Sequence, residues 1–318
     1  MSRIESPSSI LTLKQCPRKY YYSYIENLPR KDSIPTVKGK IIHAVLEHFY
    51  DLDSTELTTS NFQNLFQKQI QELLLKEFKK EQTTIDSLVP ENKQKQEMFS
   101  ESLLMLMNWS EKFVKKFQKK LPLYNFDIQK VFASCIPQRE TEYTSDALKI
   151  RGFIDLIEKD NGLVRVMDYK TSKKFDFSQE YMLQLSIYAL MYQEKHNSLP
   201  HELGIYFLKD TQEFEKTIKA TQELVEYAKK EIEKTHAFTI KQTIDIREKI
   251  NAYRYGPTRG KLKDYAAILG LKVLDIGGKD IANLCKNKDY EKIKEYLLND
   301  LEITDELYKR AAKTNIIK

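Results

Sequence analysis

An apolar run long enough to cross a membrane is missing from the 318-residue sequence. The most apolar stretches, such as residues 185–192, fall far short of the ~18 to 20 residues that a bilayer span needs, and the mean hydropathy is −0.56. The opening MSRIESPSSI lacks the apolar core of a secretory signal, and the three cysteines, Cys16, Cys135 and Cys285, cannot form a paired disulfide framework. We therefore expect a soluble, cytoplasmic protein with no membrane partner.

A strong charge of one sign is also missing. Lys and Arg total 52 against 46 Asp and Glu, which gives a formal net charge of +6. This small excess permits a polyanionic partner without requiring one, because a solvated lysine-rich surface gives the same total. No internal repeat and no G-x-x-x-x-G-K-[ST] helicase loop is present. With 41% hydrophobic and 11% aromatic residues, the chain can form one large domain or two modest ones.

The spacing of apolar residues predicts an α/β protein in which a helical region precedes the strands. Helices are expected at residues 37–52, in a Lys-, Gln- and Glu-rich insertion at 53–125 that breaks near Pro90, at about 176–196 and at 217–234. Short β-rich segments are expected at 129–134, 140–144, 148–158, 163–171 and 202–209, with an antiparallel meander directly after the insertion. We predict one domain over 1–235, a linker over 236–260 and a helical tail over 261–318.

The most informative segment is a predicted hairpin that turns at Asn161 and Gly162. This dipeptide is a strong signal for a two-residue type I′ turn, and a turn there places Asp155 directly opposite Asp168 on the neighbouring strand. The Cβ atoms of such a pair lie about 4.5–5.5 Å apart. Because side chains alternate along a strand, Lys170 points to the same face as Asp168. Two carboxylates and an ammonium group are therefore expected to converge.

Carboxylates placed opposite each other repel, and a divalent cation between them removes the repulsion. Oxygen ligands of this kind suit Mg²⁺ or Mn²⁺, which can polarise a phosphate and acidify a water, while Lys170 positions that water or steadies the developing charge. The pattern thus fits phosphodiester hydrolysis. The alternative is an exposed hairpin with an ordinary D-x-K ion pair, since a shift of one residue in register would separate the two acids.

Ordered motifs across the chain carry a family resemblance. They are Gly39-x-x-x-His43, Gly152-x-x-Asp155, Asp168-Tyr169-Lys170-Thr171 and Gln184-x-x-x-Tyr188, preceded by the opening SPSSI…CPRKYYY. Together they resemble the RecB/Cas4-type branch of the PD-(D/E)XK nuclease superfamily over about residues 6–235. The resemblance implies a restriction-endonuclease-like α/β core with a helical insertion and a helical tail.

The same resemblance implies residue roles. Asp155 and Asp168 would ligate the metal, the backbone carbonyl of Tyr169 can also ligate it, His43 would add a ligand and Lys170 would be the catalytic lysine. By spacing alone, His43 is equally an ordinary residue of an amphipathic helix.

Residues expected at the substrate are Gln184 and Tyr188, which share one helical face beside the active site. Arg18 is a further candidate DNA contact. It lies beside tyrosines at residues 20–24, whose rings can stack on bases or pack within a helix. Either Glu140 or Glu142 matches an acidic position that the family often carries on the preceding strand, and both stay open.

One departure from the family concerns cysteine. Several relatives hold an iron–sulfur cluster with one cysteine near the N-terminus and three after the core. Cys16 stands at the first place, but no triplet follows and Cys285 is alone. We therefore expect no iron–sulfur cluster and predict that Cys16 is a buried small apolar residue.

The last sixty or so residues are similar to the end of DnaQ-like 3′–5′ exonucleases of the polymerase-B-associated type. The match is Tyr296-x-x-x-Asp300, which places both residues on one helical face and suggests a second site. The earlier Asp-x-Glu strand and second Asp of that family have no convincing counterpart, so an accessory element for docking or DNA contact is favoured.

Taken together, the sequence predicts a Mg²⁺- or Mn²⁺-dependent DNA nuclease that acts on single strands or DNA ends in repair or recombination. By analogy alone, helicase or recombination proteins are expected as partners. The main alternative is an inactive nucleic-acid-binding module or accessory subunit of a repair complex. A third is an adaptor whose helices at 53–125 bind protein.

Overall fold

The computed structural model describes residues 3–29, 32–172, 176–238, 262–268, 270–277 and 280–313. The chain forms two compact units, Met1–Phe238 and Thr239–Lys318. The predicted linker at 236–260 lies almost wholly outside the described residues. None of the helices in the described part is both long and apolar enough to cross a membrane.

The first unit contains helices on both sides of a sheet. The helices are α1 (Pro7–Gln15), α2 (Pro17–Tyr20), α3 (Ile34–Phe49), α4 (Phe62–Lys80), α5 (Gln82–Leu88), α6 (Asn92–Lys120), α7 (Ile128–Cys135), α8 (Gln179–His196) and α9 (Gln222–His236). The strands are β1 (Gln138–Ser145), β2 (Ile150–Asp160), β3 (Leu163–Lys170), β4 (Glu202–Phe207) and β5 (Glu215–Lys219). The predicted α/β class is confirmed.

The strands form one mixed sheet in the order β1-β2-β3-β4-β5. Neighbours are antiparallel except β3 and β4, which run parallel. A parallel pair needs a long crossover connection, and helix α8 supplies it. Ser178 caps the start of α8 by accepting a hydrogen bond from the backbone of Tyr181. The crossover therefore brings the first turns of α8 back over the end of β3.

Two sequence predictions of secondary structure are wrong. Residues 129–134 were predicted as a strand but lie in α7, which Asp127 caps by accepting from the backbone N–H of Lys130. Its buried residues Ile128, Val131 and Phe132 recur at helical spacing. The predicted helix at 217–234 begins only at Gln222, because residues before it pair with β4 as strand β5 and alternate between exposed and half-buried.

A hydrophobic core lies on each face of the sheet. Helices α3, α4, α6 and α7 pack on one face around an aromatic cluster of Phe49, Phe66, Trp109, Phe113, Phe117 and Phe132. Helices α8 and α9 pack on the other face against Ile154, Ile157, Val166, Leu203 and Ile205. Each fully buried ring or aliphatic side chain stabilises the fold by about 1.5–3 kcal/mol. The strands that carry Asp155 and Asp168 thereby lie between two packed layers of helices.

The second unit is helical over its described residues, with α10 (Leu262–Ile268), α11 (Ile281–Lys286) and α12 (Tyr290–Lys313). Ala266, Ile303 and Leu307 form its small core. Asn299 is buried and fixes a neighbouring extended segment: its amide donates to the carbonyl of Lys272 and its carbonyl accepts from the N–H of Leu274.

Candidate active site

The β2–β3 hairpin has the register that its turn dictates. Asn161 and Gly162 both have positive φ, 47° and 81°, as a type I′ turn requires. The ladder runs from Asp160↔Leu163 to Leu156↔Met167. Asp155 and Asp168 are the next residues along the two strands, but the ladder ends before them and they are not a pair in it; on its other side Asp168 pairs with Ile205 of β4.

The backbone departs from a regular strand at Asp155. Ile154 and Leu156 are two residues apart but lie in opposite cores, so the alternation of side chains breaks between them. One carboxylate oxygen of Asp155, Oδ2, accepts a hydrogen bond of 2.9 Å from the backbone N–H of Tyr169. That bond turns the Asp155 side chain towards the end of β3.

Strand β1 is irregular at the matching position. Its ladder with β2 pairs Arg139 with Leu156 and Thr141 with Ile154 but omits Glu140, which faces Asp155. Glu140 has a φ of 40°, in a region that a residue with a side chain rarely adopts. Such strain persists only where surrounding structure enforces it and is concentrated at functional sites. Here it accompanies the approach of the Glu140 carboxylate to Asp155.

His43 of α3 completes a group of three. One ligand atom each from His43, Glu140 and Asp155 lies within 4.8 Å of the others, the only group of three or more such residues found in the described part of the chain. The Nδ1 atom of His43 is 3.3 Å from Oδ2 of Asp155, and its Nε2 is 3.1 Å from the backbone carbonyl of Tyr169. A backbone carbonyl can only accept, so Nε2 of His43 donates to it and Nδ1 is the ring nitrogen that faces the acids.

Asp168 lies outside that group and is engaged by Lys170. Nζ of Lys170 is 2.6 Å from Oδ2 of Asp168 and donates to Oε1 of Gln184 at 2.9 Å. The amide nitrogen of Gln184 donates to Oδ1 of Asp168 at 2.9 Å and to the hydroxyl of Tyr188 at 2.8 Å. Four predicted site residues thus form one connected network. Asp168 is 2% exposed, and its Oδ2 contacts the ammonium without a well-directed hydrogen bond.

Burial dominates the electrostatics of the acids. It raises the pKa of Asp155 to about 7, and the negative charge of Asp168 adds to the rise while His43 opposes it. Burial also raises the pKa of Glu140, again with His43 opposing. For Lys170, burial disfavours the ammonium, but the negative charge of Asp168 beside it outweighs the burial and raises the pKa.

These residues fit a divalent cation. Carboxylate oxygens and one imidazole nitrogen are ligands that Mg²⁺ and Mn²⁺ accept. The raised pKa of both Asp155 and Glu140 indicates that no neighbouring cationic side chain fully balances the negative charge of these two carboxylates. The under-coordinated Oδ2 of Asp168 is a further acceptor at the rim of the group. A cation placed here would relieve the repulsion that burial intensifies.

The structure separates Glu140 from Glu142, which the sequence left as alternatives. Glu140 joins His43 and Asp155. Glu142 is exposed and lies 3.4 Å from Arg151 on the neighbouring strand. In the structure, the β1–β2 register, which pairs Arg139 with Leu156 and Thr141 with Ile154, places residue 140 opposite residue 155.

Glycine at position 152, part of the predicted motif, has a packing reason. A Cβ atom there would lie 3.0 Å from Cδ of Pro7 and 3.1 Å from Cε of Met191. The absence of a side chain lets α1 and α8 pack closely against β2 just before Asp155.

Other predicted residues lie elsewhere in the fold. Arg18 is on α2, with its guanidinium carbon 5.6 Å from the ring centre of Tyr22. Tyr296 and Asp300 are in the second unit, where a mutual side-chain hydrogen bond raises the pKa of Tyr296.

The prediction that Cys16 is buried is wrong. Its side chain is exposed and its sulfur accepts a 3.4 Å hydrogen bond from the backbone of Lys19, which caps α2. Pro17, the first residue of α2, has no N–H that would need a partner at this end of the helix.

Comparison with known proteins gives a family match. The sequence profile of the PD-(D/E)XK nuclease superfamily matches residues 5–261, well over half of the chain. Among solved structures, one from Eubacterium rectale described as a "Putative exonuclease" is 9% identical, covers 87% of this chain and 90% of that chain, and gives a TM-score of 0.40. A likeness at that score carries no argument about activity. No curated protein gives a significant match.

Proposed function

The chain belongs to the PD-(D/E)XK nuclease superfamily, and we propose that within it the protein is a divalent-metal-dependent deoxyribonuclease. Members of this superfamily use divalent metals, and the predicted restriction-endonuclease-like core is confirmed. The finer proposal is a RecB/Cas4-like enzyme that hydrolyses single-stranded DNA or DNA ends in repair or recombination. The observation that carries the metal-dependent activity is the convergence of His43, Glu140 and Asp155 beside the Asp168–Lys170 pair.

The proposed ligands are Asp155, Glu140 and Nδ1 of His43, with Asp168 reached through a small shift of its carboxylate away from Lys170. A bound Mg²⁺ or Mn²⁺ would polarise the scissile phosphate and lower the pKa of a water. The carbonyl of Tyr169, predicted as a ligand, accepts from His43 in this structure and orients that ring. This arrangement favours a supporting role for Tyr169.

Lys170 is proposed as the catalytic lysine. Its ammonium is fixed by Asp168 and Gln184 and cannot swing freely. From this position it can hold the attacking water or the charge that develops on the phosphate oxygens. Gln184 orients both ends of the ion pair, and Tyr188 orients Gln184. We therefore propose that these two residues position the catalytic groups, whereas Arg18 is retained as a candidate DNA contact.

For the second unit we propose an accessory role in docking or DNA contact. Tyr296 and Asp300 bond to each other, and no group of three metal-binding side chains includes them among the residues that the structure describes. The proposal also includes a cytoplasmic location, helicase or recombination proteins as partners, and the absence of an iron–sulfur cluster. The exposed Cys16 and Cys285, both free thiols, are compatible with a reducing compartment.

The decisive test is a cleavage assay on end-labelled single- and double-stranded DNA, with EDTA, Mg²⁺ or Mn²⁺. We expect cleavage only with the metal, and the product ladder reports strand preference and polarity. Lys170→Ala should abolish cleavage and leave DNA affinity largely intact, whereas Lys159→Ala, at an exposed lysine of β2, is the matched control. Metal-dependent binding without any cleavage would instead support the inactive binding module.

A further inference from the structure

A basic cleft lies beside the candidate active site and has no part in the chemistry proposed above. It has a volume of about 520 Å³ and is bounded by the second half of α6 and the ends of β2 and β3. Its cationic rim consists of Lys112, Lys115, Lys116, Lys119, Lys120 and Arg165. Three acids, Glu158, Asp160 and Glu215, also line it, so basic side chains are in clear excess.

The cleft lies next to the metal-binding group along strand β2. Glu158 and Asp160 line the cleft and lie three and five residues beyond Asp155 on the same strand. At ~3.3 Å per residue, the nearer edge is roughly 10 Å from Asp155. Tyr50, which directly follows the helix that carries His43, lines both the cleft and the small pocket around His43 and Asp155. The cleft and the candidate active site are therefore neighbours in the fold.

Part of the positive charge is neutralised within the fold. Lys116 pairs with Glu158 at 2.8 Å and Lys120 with Asp160 at 3.2 Å. Arg165 is bound by Glu158, among other acids.

The remaining charge faces solvent. Across the described residues, neither Lys112 nor Lys119 has a carboxylate within ion-pair distance; Lys112 contacts the carbonyl of Thr211 at 3.3 Å, and Lys119 is exposed. Because no carboxylate of the described residues neutralises them, these two ammonium groups can pair with an anionic ligand. They are seven residues apart on one helix, or roughly 10 Å at ~1.5 Å per residue.

The floor of the cleft favours a ligand recognised through its charge. It is formed by aromatic residues such as Trp109, Phe113 and Phe214, which are at most 5% exposed. Rings buried to this extent cannot stack on bases, but they form an apolar wall that strengthens the field of the lysines above it. A row of cations above such a wall can bind the phosphates of a nucleic-acid backbone without recognising the base sequence.

We propose that this cleft binds the phosphate backbone of the substrate strand beside the scissile bond, with Lys112 and Lys119 as its principal contacts. The nearer edge of the cleft is roughly 10 Å from Asp155 along β2, so one strand can reach both. The inference rests on the proposed function, because it takes DNA as the substrate of the adjacent site. It adds a binding subsite that holds the strand while the metal-binding group acts on it.

The test measures DNA affinity without cleavage. The full chain in EDTA is titrated against a fluorescein-labelled single strand of about 20 nucleotides, at several salt concentrations between about 50 and 200 mM. Lys112→Gln/Lys119→Gln should bind about tenfold more weakly and lower the slope of log K against log salt by about 1.4, or about 0.7 per lost phosphate contact. The matched control is Lys76→Gln/Lys79→Gln, at two exposed lysines of α4.

An unchanged affinity and salt slope in Lys112→Gln/Lys119→Gln would overturn the inference and point to an acidic protein segment as the ligand. An equal loss in the control pair would overturn it as well, because general surface charge would then account for binding. Both variants change exposed or half-buried side chains, and thermal unfolding verifies that each is folded. The separate Mn²⁺ cleavage assay on the wild-type chain tests the proposed function, so either proposal can fail while the other stands.

Discussion

Replacing Lys170 by Met should destabilise the metal-free protein by an amount that depends on pH. The ammonium of Lys170 lies 2.6 Å from Oδ2 of Asp168, whose side chain is only 3% exposed. Methionine keeps most of the apolar stem and removes the charge, which leaves a buried carboxylate without its counter-ion. Removing one partner of a buried pair typically costs about 3–5 kcal/mol.

A carboxylate left in this position can take up a proton and become neutral. The free energy of that protonation sets an upper limit on the destabilisation. A carboxyl group of ordinary pKa, about 3.9, is neutralised for about 1.4 kcal/mol per pH unit. The limit is therefore about 4 kcal/mol at about pH 7 and about 1.5 kcal/mol at about pH 5. The sign follows from linkage: without the ammonium the folded state holds a proton more tightly than the unfolded chain, so stability is lost as pH rises.

Urea unfolding in EDTA at both pH values measures these differences, with Lys170→Arg as the control that retains a charge. We expect Lys170→Met to lose about 3–4 kcal/mol near pH 7 and less than half of that near pH 5. Lys170→Arg should lose less at either pH, and added Mn²⁺ should reduce the deficit of Lys170→Met. A deficit of equal size at both pH values would refute the reasoning, because it would assign the effect to packing.

Three further predictions concern the neighbouring residues. Glu140→Gln should weaken Mn²⁺ binding at least about tenfold, whereas Glu142→Gln, at the exposed partner of an arginine, should change it less than about twofold, as calorimetry can measure. The Mn²⁺ affinity of the wild type should rise up to about tenfold per pH unit below about pH 7 and then level off. Burial raises the pKa of Asp155 to about 7, and its proton must leave before the ion binds. An affinity that stays constant from about pH 6 to 8 would contradict this. Gln184→Leu should lower kcat about 10- to 100-fold with little change in KM for DNA, and a rise in KM alone would make Gln184 a substrate contact.

The hairpin register could be predicted because its determinants are local. The Asn161–Gly162 turn requires two residues with positive φ, and the pairing of every residue up to Leu156 follows from it by counting. The α/β class likewise follows from periodicity. Local chemistry of this kind needs no knowledge of distant contacts.

What the sequence did not predict depends on tertiary packing. Residues 129–134 carry β-branched and aromatic residues but are held as a helix against the aromatic core. The short strand β5 exists because β4 offers it a free edge. The choice between Glu140 and Glu142 depends on a strained backbone position that alternation rules do not foresee. Periodicity describes regular elements, and this site is built where β1 and β2 stop being regular.

That irregularity has an electrostatic consequence. The break at Glu140 and Asp155 brings two carboxylates to the end of β3, where Asp168 adds a third, and the ammonium of Lys170 pairs with Asp168. In their ionised forms the three carboxylates exceed the one ammonium by two negative charges in a largely buried group, and the raised pKa values of Asp155 and Glu140 reflect this excess. One divalent ion would balance that charge, whereas a monovalent ion would balance only half. The strain at Glu140 and the repulsion between the acids are therefore costs that divalent metal binding offsets, and the metal-bound chain should be more stable than the metal-free chain.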